Sequence, residues 1–139
     1  MFIPLNKKRK FKKSFVLIPK SLNFKSCELK FGNFGIKSIQ QGIIKPNQME
    51  SIRKMAKKFI KQYNGSMWFR VFPHFSITKK PIEVRMGKGK GNIEGWYFPV
   101  RKGQCIFEIQ GLPRNNSLQL LSYCKNKLSF KCKLISKIE

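Results

Sequence analysis

A chain of 139 residues is long enough for one compact domain with a modest core, and a hydrophobic fraction of 41% with 13 Phe excludes disorder throughout. Against 30 Lys and Arg stand only 6 acids, all glutamate, so the net charge is +24, which strains a compact state unless a polyanion cancels it. Nucleic acid is the commonest such polyanion; an anionic membrane surface is the rival. No apolar run approaches the roughly 20 residues of a spanning helix, and "FVLIP" at 15–19 is too short for a signal-peptide core.

In chain order, the first stretch is "MFIPLNKKRKFKKS", where every position from 7 to 13 except Phe11 is cationic. Such a run does not fold alone and orders against a polyanion; a solvated tail or targeting signal is the competing reading. Residues 1–26 are therefore taken as a basic N-terminal arm and linker, and 27–139 as a single domain. "CELKFGNFGIKSIQQGIIK" (27–45) reads as two short strands around a turn at Gly32 and Gly35. From Pro46 to Tyr63 the apolar residues Met49, Ile52, Ala56, Phe59, Ile60 and Tyr63 fall on one helical face. Pro46 suits the first helical position and Asn64-Gly65 the exit. The opposite face carries Arg53, Lys54, Lys57, Lys58 and Lys61.

"SMWFRVFP" (66–73) alternates as a strand, with Met67, Phe69 and Val71 on one side and Trp68, Arg70 and Phe72 on the other. "HFSITKKP" reads as loop, "IEVRM" (82–86) as strand, and "NIEGWYFPV" (92–100) as strand again after a glycine–lysine run. "RKGQ" is a turn and "CIFEIQ" (105–110) a strand. Pro113 to Leu128 is a second helix with Leu118, Leu121, Tyr123, Cys124 and Leu128 apolar, and "SFKCKLISK" (129–137) a last strand. The order β-β-α-β-β-β-β-α-β lacks regular βα alternation. It predicts an α+β fold: a mostly antiparallel sheet with two helices packed on it, plus the basic arm and a long Gly/Lys hairpin loop.

The loop "RMGKGKGN" fails both nucleotide motifs. No Ser or Thr follows either lysine, as a P-loop requires, and the run leads into strand rather than helix, where a dinucleotide fingerprint opens a helix. What remains is a hairpin tip. Gly87, Gly89 and Gly91 let backbone amides approach phosphate closely, while Arg85, Lys88 and Lys90 neutralise charge. Catalysis has little to work with: Glu28, Glu50, Glu83, Glu94, Glu108 and Glu139 are scattered, and the one histidine, His74, reads as a loop residue. Cys27, Cys105, Cys124 and Cys132 show no paired spacing, so no metal site is nominated and buried or half-buried thiols are expected. The chain reads as no enzyme and takes no cofactor. Trp68, Trp96 and Tyr97 suit either stacking on bases or a core.

At "FGNFGIKSI", "WFRVFPHFSITKKP" and above all "VRMGKGKGNIEGW", the chain closely resembles the universal large-subunit ribosomal protein sixteen family, the bacterial L-sixteen and eukaryotic L-ten type. The similarity runs from the basic start to "KLSFKCKLISK". The resemblance implies a structural protein of the large subunit that binds large-subunit rRNA, with neighbouring ribosomal proteins as partners and no membrane or small-molecule substrate. It implies a position between the central protuberance and the peptidyl-transferase region, late entry into assembly, and a loop, Lys79 through Gly91, near tRNA. Some bacterial members hydroxylate the arginine matching Arg85. RNA contact is accordingly assigned to Lys7, Lys8, Arg9, Lys10, Lys12, Lys13, Arg70, Lys79, Lys80, Arg85, Lys88 and Lys90, with Gly87, Gly89 and Gly91 permitting close approach.

The chain departs from the family at four places. Residues 14–26 replace a Gly/Arg-rich stretch, so no RNA contacts carry over there. Lys45 stands where a Thr usually caps the first helix, a cap weaker by about 1 kcal/mol unless something substitutes. His74 replaces a common Asp, and Gly95 an aromatic. The alternative function is a free-standing basic RNA-binding or RNA-chaperone protein, and a third class is a cationic membrane-surface protein. A start directly on the basic arm, with Lys, Ile, Phe and Asn abundant as in an A+T-rich genome, leads to the expectation of an organelle-encoded mitochondrial ribosomal protein. The cytoplasm of a low-G+C bacterium, or a plastid, is the alternative.

Overall fold

The computed structural model describes residues 12–137, so Lys7, Lys8, Arg9, Lys10 and Glu139 lie outside the described residues. The order is β1 (Phe34–Ser38), β2 (Gly42–Ile44), α1 (Pro46–Gln62), β3 (Ser66–Phe69), β4 (Phe75–Lys79), β5 (Asn92–Val100), β6 (Cys105–Gln110), α2 (Arg114–Lys125) and β7 (Cys132–Ser136). The strands form two antiparallel sheets, β3-β6-β1-β7 and β2-β5-β4. This is an α+β fold. The expected single sheet is divided where the "RKGQ" turn separates β5 from β6.

The helix α1 forms because its apolar residues recur on one stripe: Met49, Ile52 and Ala56 are fully buried, and Phe59 and Ile60 pack against the same core. Each such large side chain contributes about 1.5–3 kcal/mol. Pro46 takes the first turn, where a missing N–H costs nothing. The cap at Lys45 is one-sided: Gln48 Oε1 accepts from the Lys45 N–H at 3.0 Å, whereas a lysine side chain has only donors and returns nothing. Gln48 thus supplies half of the capping box that Thr would complete. The exit is made by Asn64 in the left-handed region at φ 49 and by the Gly65 N–H donating to Ile60 O at 3.2 Å.

Both helices pack against the four-stranded sheet, and the core joins Ile36, Phe107, Ile109 and Cys132 to Leu120, Leu121 and Cys124 of α2. The central strand β6 is buried from Cys105 through Ile109. At a bulge the β1–β6 register jumps from Ile36↔Phe107 to Lys37↔Cys105. Ile106 and Phe107 therefore both reach the core, while the Cys105 thiol lies 3.8 Å from Glu108 Oε1.

Four expectations need correction. "FSITK" is strand β4 and "IEVRM" is loop, because β5 pairs with 75–79, ending at Lys79↔Asn92, and leaves 82–86 no partner. The turn between β1 and β2 falls at 39–41; Gly35 lies inside β1 and Gly32 just before it. The second helix is shorter than 113–128, and it buries Ser117, Leu120, Leu121 and Cys124, while Leu118 and Tyr123 are exposed. The strand at 66–73 ends at Phe69, although the Arg70 N–H still donates to Ile106 O at 2.9 Å. All four cysteines are free thiols, and burial pushes Cys105, Cys124 and Cys132 up to about 12.

Candidate nucleic-acid interface

Strands β4 and β5 close a loop over residues 80–91, and all but its two ends are exposed. Gly87 (φ 105), Lys88 (φ 54) and Gly89 (φ 80) are three consecutive left-handed residues; two of them are glycine, where that region carries no steric cost. A Cβ on either glycine would meet open space, so the tip's backbone is bare to an approaching ligand. Gly91 serves a different end. A Cβ there would lie 2.4 Å from Lys79 O, so its missing side chain lets the two strands meet at the loop's neck. Across the loop the Lys80 Nζ donates to Gly87 O.

The arm joins the loop at this neck. Lys12 O accepts from Ser76 Oγ at 2.5 Å, and the Leu17 N–H donates to the Tyr97 hydroxyl at 3.1 Å. Lys13 Nζ donates to Lys90 O at 3.2 Å, and Lys90 Nζ donates back to Ser14 O at 2.7 Å. The Lys90 ammonium also sits 4.1 Å above the Phe15 ring. Two segments more than 70 positions apart in sequence thus present their cations together. Lys79 is shared with Glu94 at 3.5 Å, a pair open to solvent on both sides and worth little. Arg85 and Lys88 have no acidic partner among the described residues. The loop is not purely polar: Ile82 and Met86 are almost wholly exposed.

Arg70 belongs elsewhere. Its guanidinium pairs with Glu108, and its side chain is only 12% exposed. It stands beside β6, away from the loop-bearing sheet, so the structure gives it an intramolecular anion in place of a phosphate. Glu108 is fully buried. Its Oε2 accepts from the N–H groups of Lys30, Phe31 and Gly32 at 3.0, 2.7 and 2.9 Å. Burial alone would push this carboxyl up; the three backbone donors and Arg70 outweigh it and hold the group below the usual carboxylate range. Sequence reasoning passed over Glu108. The signal was present: one acid inside the apolar strand "CIFEIQ", in a chain with so few acids, asks for a buried partner.

The His74 ring is 4.3 Å from that of Phe75 and 5.7 Å from that of Phe98, centroid to centroid, and its Nδ1 is 2.8 Å from Phe72 O. Tyr97 is buried, whereas Trp68 and Trp96 are half-buried. Among the described residues no group of three or more His, Cys, Asp or Glu is placed to hold a metal, and no helix is long and apolar enough to cross a membrane. The 15–24 segment runs past this end with Phe15, Leu17, Leu22 and Phe24 exposed, and its Asn23 N–H donates to Lys102 O at 3.0 Å.

Two helices packed on antiparallel strands, with cations gathered on a bare-backboned hairpin, define a basic α+β protein. The family model described as ribosomal protein L16p/L10e matches residues 6–135, and the chain belongs to that family. It is a constituent of the large ribosomal subunit, with a structural rather than a catalytic part in translation.

Proposed function

We propose that the chain binds large-subunit rRNA through its arm and its 79–91 loop, and that the loop reaches toward the region where tRNA is handled. The observation that carries this reading is the joining of arm and loop through the Lys13 and Lys90 hydrogen bonds, which makes one cationic surface of two distant segments. Lys12, Lys13, Lys79, Lys80, Arg85, Lys88 and Lys90 supply charge there; Lys7, Lys8, Arg9 and Lys10, outside the described residues, belong to the proposal by sequence alone. Gly87 and Gly89 leave the amides open to phosphate. The exposed Ile82 and Met86 suit contact with nucleotide or protein surface that closes over the tip. Neighbouring ribosomal proteins are the remaining partners, and no residue acts as a catalyst.

The organelle remains part of the proposal: a mitochondrial ribosome, with the chain encoded in the organelle, in preference to a plastid or a low-G+C bacterium. The A+T-type composition supports it.

The test is sedimentation with intact large subunits through rising salt. A subunit constituent stays with the particle through a high-salt wash, while a free-standing RNA chaperone is released. For the isolated chain on an rRNA fragment, Arg85→Ala with Lys88→Ala lowers the slope of log affinity against log salt by about 1.4–1.8, two phosphates' worth. An unchanged slope removes the loop from the interface. Recovery of the chain from the mitochondrial fraction supports the location, and recovery from another compartment overturns it.

A further inference from the structure

Three consecutive backbone N–H groups, those of Lys30, Phe31 and Gly32, converge on one oxygen of the buried Glu108. This segment cannot drift without stripping one oxygen of a buried carboxylate of its three donors. Yet the side chain so firmly placed is turned outward: Phe31 is 55% exposed. Its ring lies 6.0 Å from that of Trp68 with a 31° tilt, and the Arg70 guanidinium carbon is 5.6 Å from its centroid. Trp68 lies in β3 and Arg70 just past its end, and both reach the Phe31 ring. Phe31 therefore rests on both and leaves much of its surface to solvent.

We propose that the Phe31–Trp68 step is a stacking platform for an unpaired nucleobase of RNA. The inference rests on the RNA-binding reading above and adds to it a second, separate contact that reads bases rather than phosphates. A stacked base gains affinity without sequence preference because every base offers a π-face. An aromatic ring already fixed in place loses little entropy when the base arrives. Lys30, exposed and adjacent to Phe31, is placed to meet a backbone phosphate of the same nucleotide. Charge decides between an RNA base and an apolar protein segment: a base comes with an anion, and a chain of net charge +24 favours the ligand that brings one.

The test uses the full chain carrying Trp96→Phe, so that Trp68 is the sole tryptophan. It is titrated with single-stranded oligoadenylate and with an abasic phosphodiester of equal length. Oligoadenylate is expected to quench Trp68 and to bind about tenfold more tightly than the abasic strand. Phe31→Ala abolishes that difference while leaving abasic binding and its salt slope intact. Phe31→Tyr restores the preference, and Phe31→Leu, which keeps apolar bulk without a π-face, does not. Equal binding of both strands with Trp68 unquenched overturns the platform but leaves the phosphate reading standing. Rescue by Leu as good as by Tyr overturns it in favour of an apolar protein partner. Failure to bind either strand sinks the phosphate reading and the platform together.

Discussion

The Glu108 clamp and the 80–91 loop use charge in opposite ways. At the clamp one carboxylate is withdrawn from water and surrounded by three N–H groups and a guanidinium, so all of its charge goes to fixing the chain's own shape. On the loop the cations stay in water: Lys80 and Lys90 are held by backbone carbonyls and a ring rather than by acids, and Arg85 and Lys88 face no acid among the described residues. Under the proposed function, stability and binding thereby fall to different residues. A chain with so large a surplus of cations keeps one of its few acids for the place where removing it damages the fold most. The surplus is left where an external polyanion can reach it.

The largest expected effect is at the clamp. Glu108→Gln leaves Arg70 unpaired and faces an amide NH2 toward donors, costing about 3–5 kcal/mol. That lowers Tm by on the order of 10 °C in a thermal melt. Pairing the change with Arg70→Met recovers only part of the loss, because the neutral Gln carbonyl oxygen accepts more weakly than a carboxylate from the N–H groups of Lys30, Phe31 and Gly32; full recovery would show that the ion pair alone mattered. The pH dependence has a definite sign. Glu108 is held below the usual carboxylate range in the folded state. Its contribution is therefore fully present above the unfolded value of about 4.3 and is lost as pH falls through the lower folded value. The stabilities of the wild type and Glu108→Gln converge in acid and stand furthest apart near neutrality. A gap independent of pH would contradict the clamp.

A smaller effect is expected from Gly32→Ala. The new Cβ would lie 2.5 Å from Ile109 O and 2.8 Å from Ile109 N, backbone atoms of the central strand that cannot yield as a side chain tip does. The segment must lift, at about 1–3 kcal/mol, and its N–H leaves Glu108 as it goes. The two changes therefore share a cause. Denaturant melts of the single and double variants should give a combined loss smaller than the sum, whereas strict additivity would separate Gly32 from the clamp.

What was legible in the sequence follows from how local each signal was. Helix α1 announces itself through a face, a proline and an Asn-Gly exit, all within one stretch, and β5 and β6 carry continuous strand chemistry. The exchange of "FSITK" for "IEVRM" arose because both alternate; only the pairing of 75–79 with β5 decides between them, and pairing is not local. The loop's glycines and cations were readable as an exposed, bare-backboned tip because residue type alone carries that meaning. Its union with the arm and the role of Glu108 were not, since their partners lie some 76–78 positions away. The Arg70 pairing went unseen for the same reason: its acid, Glu108, lies 38 positions away, so residue type alone grouped Arg70 with the loop cations.

The smallest effect sharpens the comparison most, because it falls where the two uses of charge meet in one residue. Lys88 sits at φ 54, between two glycines, in a region that costs an L-residue roughly 1–2 kcal/mol. Lys88→Gly relieves that strain but adds about 0.5–1 kcal/mol of unfolded-state entropy, so the net gain in stability is on the order of 0.5 kcal/mol. The same change removes one exposed cation and should lower the salt slope of rRNA binding by about 0.7–0.9. A variant that is slightly more stable and binds with one phosphate fewer would show that the loop holds a strained lysine for its charge. A destabilised variant, or one with the slope unchanged, would mean that Lys88 belongs with the clamp, as a residue that serves the fold.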